Sequence, residues 1–214
     1  MRNDNRNYNY EDFPSEKRVE YVAITSLLAP GSKVIDLACG NGALMEMMIA
    51  EKGCTCEGVE LSPSGVQVAV KRGLSVREGR IDEKLPYADG EFDVAVCNVT
   101  IQMVMYPEQL LAEMKRISRK QIISFPNFAY FRNRLDLLLY GRMPKPMLFG
   151  YQWYNTGHIH QLSIRDFGEL LAHTGGMRIT RTLYVPVGYK IIDGLGSIMP
   201  GWFRKEVILE TENI

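Results

Sequence analysis

The most informative stretch of this 214-residue sequence is Val34-Ile35-Asp36-Leu37-Ala38-Cys39-Gly40-Asn41-Gly42. A short apolar run passes directly into a turn that contains two glycines, and Ala43 to Lys52 follows with a pattern typical of a helix. An apolar run that ends in such a turn indicates a buried strand of a parallel sheet. The stretch therefore predicts a strand, a turn and a helix in succession, which is the repeating unit of an α/β fold.

This alternation of strands and helices continues to Phe125, and the character of the sequence changes after that residue. Further strands are predicted at 56–61, 74–78, 92–98, 121–125, 178–187 and 203–211. Helices are predicted from Ser15 to Leu28 and at 63–72, 107–117, 130–140 and 165–174, and a glycine-rich apolar loop at 188–202. Together these patterns predict a doubly wound, mostly parallel seven-stranded sheet with an antiparallel C-terminal strand.

The organisation of the chain is predicted to be one domain over residues 1–214. Residues 1–14, rich in Asn and Tyr near the start, are expected to form a loose arm. Residues 126–163 carry many aromatic side chains and a net charge of +3, against −3 for residues 1–125. We interpret 126–163 as a lid inserted after the fifth strand, where ligands of such sheets bind.

The overall composition excludes several classes of function. The 25 Lys and Arg balance the 25 Asp and Glu, so the chain lacks the basic field by which general nucleic-acid binders attract phosphate. The four cysteines form no CxxC pair, and no apolar run has the length of a signal peptide core or a membrane span. We therefore predict a cytoplasmic protein with reduced thiols and without a nucleic-acid or membrane partner.

The turn after the first strand is compatible with two kinds of nucleotide site. A dinucleotide fingerprint requires glycines at i, i+2 and i+5, but positions 38, 40 and 43 are Ala, Gly and Ala. A carboxylate at Asp36 would also repel a diphosphate. It would instead favour the ammonium or sulfonium of an amino-acid-like cofactor, and Glu60, at the end of the second strand, is placed to accept hydrogen bonds from a ribose.

From these residues onward the sequence resembles the class I S-adenosylmethionine-dependent methyltransferases, which have a Rossmann-like fold. The segment 85–94, Leu-Pro-Tyr-Ala-Asp-Gly-Glu-Phe-Asp-Val, is similar to the region before their fourth strand. The series Ser124-Phe125-Pro126-Asn127-Phe128, Gly141-Arg142-Met143-Pro144 and Trp153-Tyr154-Asn155-Thr156, the last followed by His158-Ile159-His160, is similar to a narrower family, the methionine biosynthesis protein MetW.

The resemblance implies a cofactor site for S-adenosyl-L-methionine, with S-adenosyl-L-homocysteine as product. It assigns the methionine part and backbone side of the cofactor to Asp36, Ala38, Gly40 and Gly42, the ribose to Glu60 with Leu61 beside it, the adenine to Ile81 and Asp82, and the region of the methyl group to Asn98. Three departures are evident: Ala38 replaces the usual first glycine, Arg80 stands where many members have an acidic residue for the adenine, and Gly157 in the lid loop stands where proline is expected.

The acceptor side is predicted from the aromatic and basic residues of the lid. His158 and His160 are our candidates for a general base, and the sequence is also compatible with a structural or a substrate-binding role for them, in that order before the role of base. No metal site is predicted, because two histidines without a nearby third ligand do not make one. The candidate substrate-binding residues are Asn127, Arg132, Arg142, Tyr151, Trp153 and Tyr154.

Two hypotheses of function follow from the sequence. The first is an enzyme, EC 2.1.1.-, that transfers a methyl group from S-adenosylmethionine to oxygen or nitrogen of a small metabolite, with an anionic acceptor favoured by the basic lid. The second, implied by the MetW resemblance, is a cofactor-binding partner or regulator of a homoserine acyltransferase in methionine biosynthesis. The apolar segment Gly188 to Trp202 is a candidate surface for that partner or for a homodimer. A dehydrogenase is a weaker third hypothesis.

Overall fold

The computed structural model describes residues 10, 18–144, 152–154 and 156–214. Its centre is a seven-stranded sheet with the strand order β3-β2-β1-β4-β5-β7-β6. The strands are β1 (Lys33–Leu37), β2 (Thr55–Glu60), β3 (Ser75–Glu78), β4 (Phe92–Asn98), β5 (Ser118–Pro126), β6 (Met177–Tyr184) and β7 (Glu206–Asn213).

The first five strands pair in parallel, and β7 runs antiparallel to both β5 and β6. This arrangement confirms the predicted fold class.

Eight helices connect the strands or flank the sheet within the described residues. They are α1 (Val19–Leu27), α2 (Ala43–Lys52), α3 (Pro63–Lys71), α4 (Pro107–Ile117), α5 (Phe131–Tyr140), α6 (Ile164–Thr174), α7 (Lys190–Ile198) and α8 (Pro200–Phe203). None of these described helices combines the length and the apolar character that a bilayer-crossing helix needs.

The alternation of side chains along β1 divides the core into two layers. Val34 packs with α1 and α2, whereas Ile35 and Leu37 face α4 and α6 on the other side of the sheet. Asp36 shares the face of Val34, and it is the one polar residue among the four buried residues 34–37 of β1. Because β1 is central and both faces of the sheet are covered, Asp36 is 1% exposed.

The structure corrects the prediction of a loop at 188–202, which instead contains α7 and α8. Ile191, Leu195 and Ile198 recur at helical spacing, and this periodicity outweighs the low helix propensity of the glycines between them. Gly196 has a packing role, because a Cβ there would lie 2.6 Å from Nε of Arg204. Elsewhere the predicted strand ends differ from the observed ones by a few residues, and Ser15 lies outside the described residues.

Gly42, directly before α2, packs closely against another part of the chain. It adopts φ +80°, and a Cβ on it would lie 2.2 Å from Cδ1 of Leu74. The space beside Gly42 is therefore filled by the chain itself.

We expect Gly42→Ala to lower the free energy of unfolding by about 3 kcal/mol, the sum of left-handed strain and overpacking. Gly31→Ala is the matched control, because Gly31 has φ +75° with nothing within 4 Å of the added Cβ. It should cost only about 1 kcal/mol of strain. Urea unfolding measures both, and equal losses would contradict the contact with Leu74.

Candidate functional site

The candidate site lies at the carboxyl ends of β1, β2 and β4, where the strand order reverses. Asp36 is the penultimate residue of β1 and lies opposite Gly58 of β2 and Val96 of β4. Glu60 ends β2 and Asn98 ends β4. Crevices at such a reversal are the usual ligand sites of open α/β sheets. The topology thus brings three of the sequence-predicted residues to one edge.

Glu60 holds the two loops that form the wall of this crevice. Its Oε2 accepts a hydrogen bond of 2.8 Å from the backbone N–H of Gly40, and its Oε1 accepts one of 2.7 Å from the N–H of Ser62. Burial raises the pKa of Glu60, although the N–H donors of Ser62, Gly40 and Leu61 oppose that rise. Each carboxylate oxygen has two lone pairs, so Glu60 keeps capacity for a hydroxyl donor from a ligand.

Asp36 is a buried carboxyl whose hydrogen-bonding capacity is not fully used. Within the described part of the chain, its Oδ2 has no hydrogen-bond partner. Burial, and secondly the nearby charge of Glu60, raise the pKa of Asp36 to about 7. A buried acceptor of this kind carries a free-energy cost unless a ligand or proton satisfies it. Asp36 is therefore suited to interact with a cationic group.

The turn between β1 and α2 is held in a left-handed conformation by its contacts with β2. Ala38 and Gly40 adopt φ +66° and +57°. The N–H groups of Ala38 and Cys39 donate to the carbonyl oxygen of Val59 at 2.7 and 3.2 Å. Ala38 stands where the resemblance expects glycine, and these bonds explain how a residue with a Cβ is kept at a positive φ.

The turn and Glu60 border a cleft that contains five of the predicted cofactor-binding residues. The lining residues are Tyr10, Ala38, Glu60, Leu61, Gly79, Arg80, Ile81, Asp82, Thr100, Met103, Val104 and Met105. Thr100 and Met103–Met105 were not predicted from the sequence. They follow β4 directly, so a search of every loop at the carboxyl edge would have found them, whereas no local signal marks Tyr10.

The carboxylate of Asp82 is already engaged by the protein. It pairs with the Arg80 guanidinium at 2.8 Å and accepts hydrogen bonds from the N–H groups of Met105 and Tyr106. Arg80 also contacts Glu83 at 2.7 Å. Asp82 thus fixes the far wall of the cleft, while Ile81 and the segment 103–105 supply its apolar surface.

Asn98 ends β4 directly before the loop that contributes Thr100 and Met103–Met105 to the cleft, although Asn98 is not among the residues that line the cleft. Its Oδ1 accepts a 2.5 Å hydrogen bond from Oγ of Ser124 on β5. Val99 adopts φ +50°, which is a true outlier for a β-branched residue. The N–H of Val99 donates to both the carbonyl oxygen and Oγ of Ser124, at 3.1 and 2.9 Å, and these bonds maintain the strained conformation.

The two candidate histidines differ in exposure. His158 is 7% exposed, whereas His160 is exposed, because the chain bends at 157 and 160 and does not continue as an extended strand. The N–H of His160 donates to the carbonyl oxygen of Gln102 at 3.0 Å. This bond places the His158–His160 segment beside the loop that follows β4. A role as base stays a prediction for both residues.

The predicted substrate-binding residues do not form one cluster in the described structure. Asn127 is fully buried, and its amide nitrogen donates to the carbonyl oxygens of Gly201 and Arg204. Arg132 is exposed on α5, and Arg142 lies over the Tyr140 ring, 5.2 Å from its centroid. Trp153 and Tyr154 are exposed and form an edge-to-face pair. Tyr151 lies outside the described residues.

Known proteins are similar to this chain in sequence and in fold. The family model described as methionine biosynthesis protein MetW matches residues 18–209. A bifunctional methionine biosynthesis protein MetXA/MetW from Rhodopirellula baltica is 35% identical over 164 residues, which are 72% of this chain and 26% of that protein. The chain therefore spans about a quarter of that relative's length.

Solved structures show the fold over almost the whole chain. An S-adenosylmethionine-dependent methyltransferase from Mesorhizobium loti has a TM-score of 0.65 at 15% identity, with 94% of this chain and 100% of that chain covered. Geranyl diphosphate C-methyltransferase from Streptomyces coelicolor, in complex with S-adenosyl-L-homocysteine, has a TM-score of 0.62 at 16% identity, with 92% and 78% covered.

The fold is thus that of an S-adenosylmethionine-dependent methyltransferase. Because the MetW family model matches residues 18–209, the chain belongs to the MetW family of methionine biosynthesis proteins, as the resemblance predicted.

The buried Asp36 predicts a specific dependence of stability on pH. Its carboxyl loses a proton near the ordinary value of 3.8 in the unfolded chain but near pH 7 in the folded chain. Between these values the folded state binds more protons, so raising the pH favours unfolding. Asp36→Asn should reduce the fall in unfolding free energy between pH 5 and pH 8 by at least about 1.4 kcal/mol, the equivalent of one pKa unit.

Urea unfolding at several pH values measures this difference. Glu206, whose pKa burial raises to about 7 together with the charge of Glu20, contributes its own share in both proteins. The exposed Glu51 gives the control Glu51→Gln, which should keep the wild-type slope. An unchanged slope in Asp36→Asn would contradict the raised pKa.

Proposed function

We propose that this chain binds S-adenosyl-L-methionine in the cleft beside Glu60 and transfers its methyl group to oxygen or nitrogen of a small metabolite. The observation that carries the proposal is the buried Oδ2 of Asp36, which has no hydrogen-bond partner among the described residues and lies near the charge of Glu60. Two neighbouring buried acids favour a cationic ligand, and a sulfonium cofactor with an ammonium group is one.

The residues present fit the parts of this cofactor. Ala38, which lines the cleft, would place the turn backbone beside the amino-acid part, and Glu60 retains acceptor capacity for the ribose. Ile81 and the segment 103–105 offer an apolar surface for the adenine, while Asp82 holds that surface in place. Arg80 has no acceptor for the adenine amine, so backbone groups of 80–82 are the remaining acceptors there.

The chain's own residues would act mainly by alignment. When bound, S-adenosylmethionine supplies a methyl group activated by its sulfonium charge. The hydrogen bond from Ser124 fixes the Asn98 amide at the edge of the site, which orients an acceptor at low entropic cost. His158 and His160 are the proposed acceptors of a proton from a hydroxyl or amine. The net charge of +3 over 126–163 favours an acceptor that carries carboxylate or phosphate.

Calorimetry with S-adenosyl-L-homocysteine tests the cofactor site. We expect wild type to bind and Glu60→Gln to bind at least about tenfold more weakly, because a charge-assisted hydrogen bond contributes roughly 1.5–3 kcal/mol. Glu57→Gln, on the same strand and nearer its start, is the control and should keep wild-type affinity. Circular dichroism verifies that each variant is folded. Equal affinity of Glu60→Gln and wild type would refute the ribose assignment.

A second function is favoured by the Rhodopirellula relative, whose name joins MetXA and MetW in one protein. In this proposal the chain is a cofactor-binding partner of a homoserine acyltransferase, the partner that the family resemblance implies. Its predicted contact surface is 188–202, where Ile191 and Ile198 on α7 are 80% and 79% exposed. Exposed apolar side chains on one helix are typical of protein contacts.

Co-expression with the homoserine acyltransferase of the same genome tests this partnership. We expect a tagged chain to retain the acyltransferase, identified by mass spectrometry, and the double variant Ile191→Asp/Ile198→Asp to lose it, since burying an unpaired carboxylate is costly. Val70→Asp, at a 52% exposed site on α3, is the matched control and should retain the partner. An acyltransferase that never co-purifies with wild type would exclude the partnership.

A further inference from the structure

Tyr10 lies in the proposed cofactor cleft although it is distant in sequence from every other lining residue. The half-buried Tyr10 borders the cleft together with Ala38, Glu60 and Leu61. Its backbone N–H donates a 3.2 Å hydrogen bond to Oγ of Ser64, 54 residues further along the chain. The predicted loose arm therefore has at least one residue in contact with the site.

The Tyr10 ring occupies the space that two glycines leave open. A Cβ on Gly40 would lie 3.1 Å from Cε1 of Tyr10, and a Cβ on Gly65 would lie 3.1 Å from Cδ2. The same Cβ on Gly65 would lie 2.9 Å from Cγ of Glu60 and 2.9 Å from the carbonyl oxygen of Gly40. The ring thus covers the place where the turn after β1, Glu60 and the first turn of α3 meet.

A chain of hydrogen bonds connects Tyr10 with Glu60 through Ser64 and Ser62. Oγ of Ser64 and Oγ of Ser62 are 2.9 Å apart, and the N–H of Ser62 donates to Glu60. The aromatic ring is consequently positioned from two sides, by packing on the glycines and by its own backbone bond. Around the ring, Glu60 is acidic, and Arg80, which also lines the cleft, is paired with Asp82 and Glu83.

We propose that Tyr10 is a cofactor-binding residue whose ring covers the junction between the turn and Glu60. The proposal rests on the proposed cofactor site. A ring held over a ligand removes apolar surface from water and excludes solvent, and its face attracts a cation. Tyr10 would therefore increase the affinity of the cleft for its ligand. A side chain that only fills the cleft would compete with the ligand and lower that affinity.

Calorimetry of the full chain, with the affinity tag at its C-terminal end, separates these possibilities. We expect Tyr10→Ala to bind S-adenosyl-L-homocysteine roughly three- to tenfold more weakly, the effect of losing one aromatic contact. Tyr10→Phe should stay within about twofold of wild type because the ring is kept. Tyr189→Ala, at a 66% exposed tyrosine before α7, is the matched control. Unchanged or tighter binding by Tyr10→Ala would overturn the proposal.

Hydrogen exchange gives a second readout that does not depend on activity. We expect S-adenosyl-L-homocysteine to slow exchange in the peptide that contains Tyr10, and Glu60→Gln to need at least about tenfold more ligand for the same protection. Ligand binding without protection of that peptide would also overturn the assignment. If wild type does not bind S-adenosyl-L-homocysteine at all, the failure belongs to the proposed function and not to Tyr10.

Discussion

The carboxylate of Glu60 joins the parts on which the site depends. One oxygen holds the turn after β1 through Gly40, and the other holds the start of α3 through Ser62. An acidic side chain suits this position because it is acceptor-only, whereas an amide would direct donor hydrogens at one of two donors. The same carboxylate is the proposed ligand for the ribose. The shape of the turn and the proposed binding of the ribose therefore depend on one charge.

That charge has a cost, which Asp36 increases. Burial disfavours ionisation of both acids, and the charge of Glu60 further disfavours ionisation of Asp36, so the protein without a ligand is destabilised near neutral pH. Such a cost is typical of binding sites, where the surrounding structure maintains an arrangement that is unfavourable by itself. A cationic ligand that binds only the folded chain would recover part of this free energy, so ligand affinity and stability are coupled.

The placement of the first turn and of Glu60 at the carboxyl edge of the sheet could be predicted because its sequence signals are local. Asp36, Gly40, Gly42 and Glu60 follow from apolar runs, turn residues and the spacing of one βαβ unit. The physical role of Gly42 was not predictable, since it depends on Leu74, which packs against it from another element.

Other features depend on contacts between distant parts of the chain. Tyr10 lies in a polar arm without periodicity, and only its contact with Ser64 brings it to the cleft. Asn127 was predicted from the sequence to bind the substrate. In the structure its amide nitrogen donates hydrogen bonds to the backbone carbonyl groups of Gly201 and Arg204.

The strained loop after β4 bears on the choice between the two proposed functions. A cofactor sensor requires the turn, Glu60 and the apolar wall, but it has no need of a fixed geometry at Asn98. The chain nevertheless keeps a valine at φ +50° immediately after Asn98, at a cost of order 1–3 kcal/mol for such a residue. Bonds to both oxygens of Ser124 hold that conformation, and Ser124 also bonds the Asn98 amide. Strain and hydrogen bonds thus converge on one amide at the edge where the acceptor would bind, and this favours methyl transfer over sensing alone.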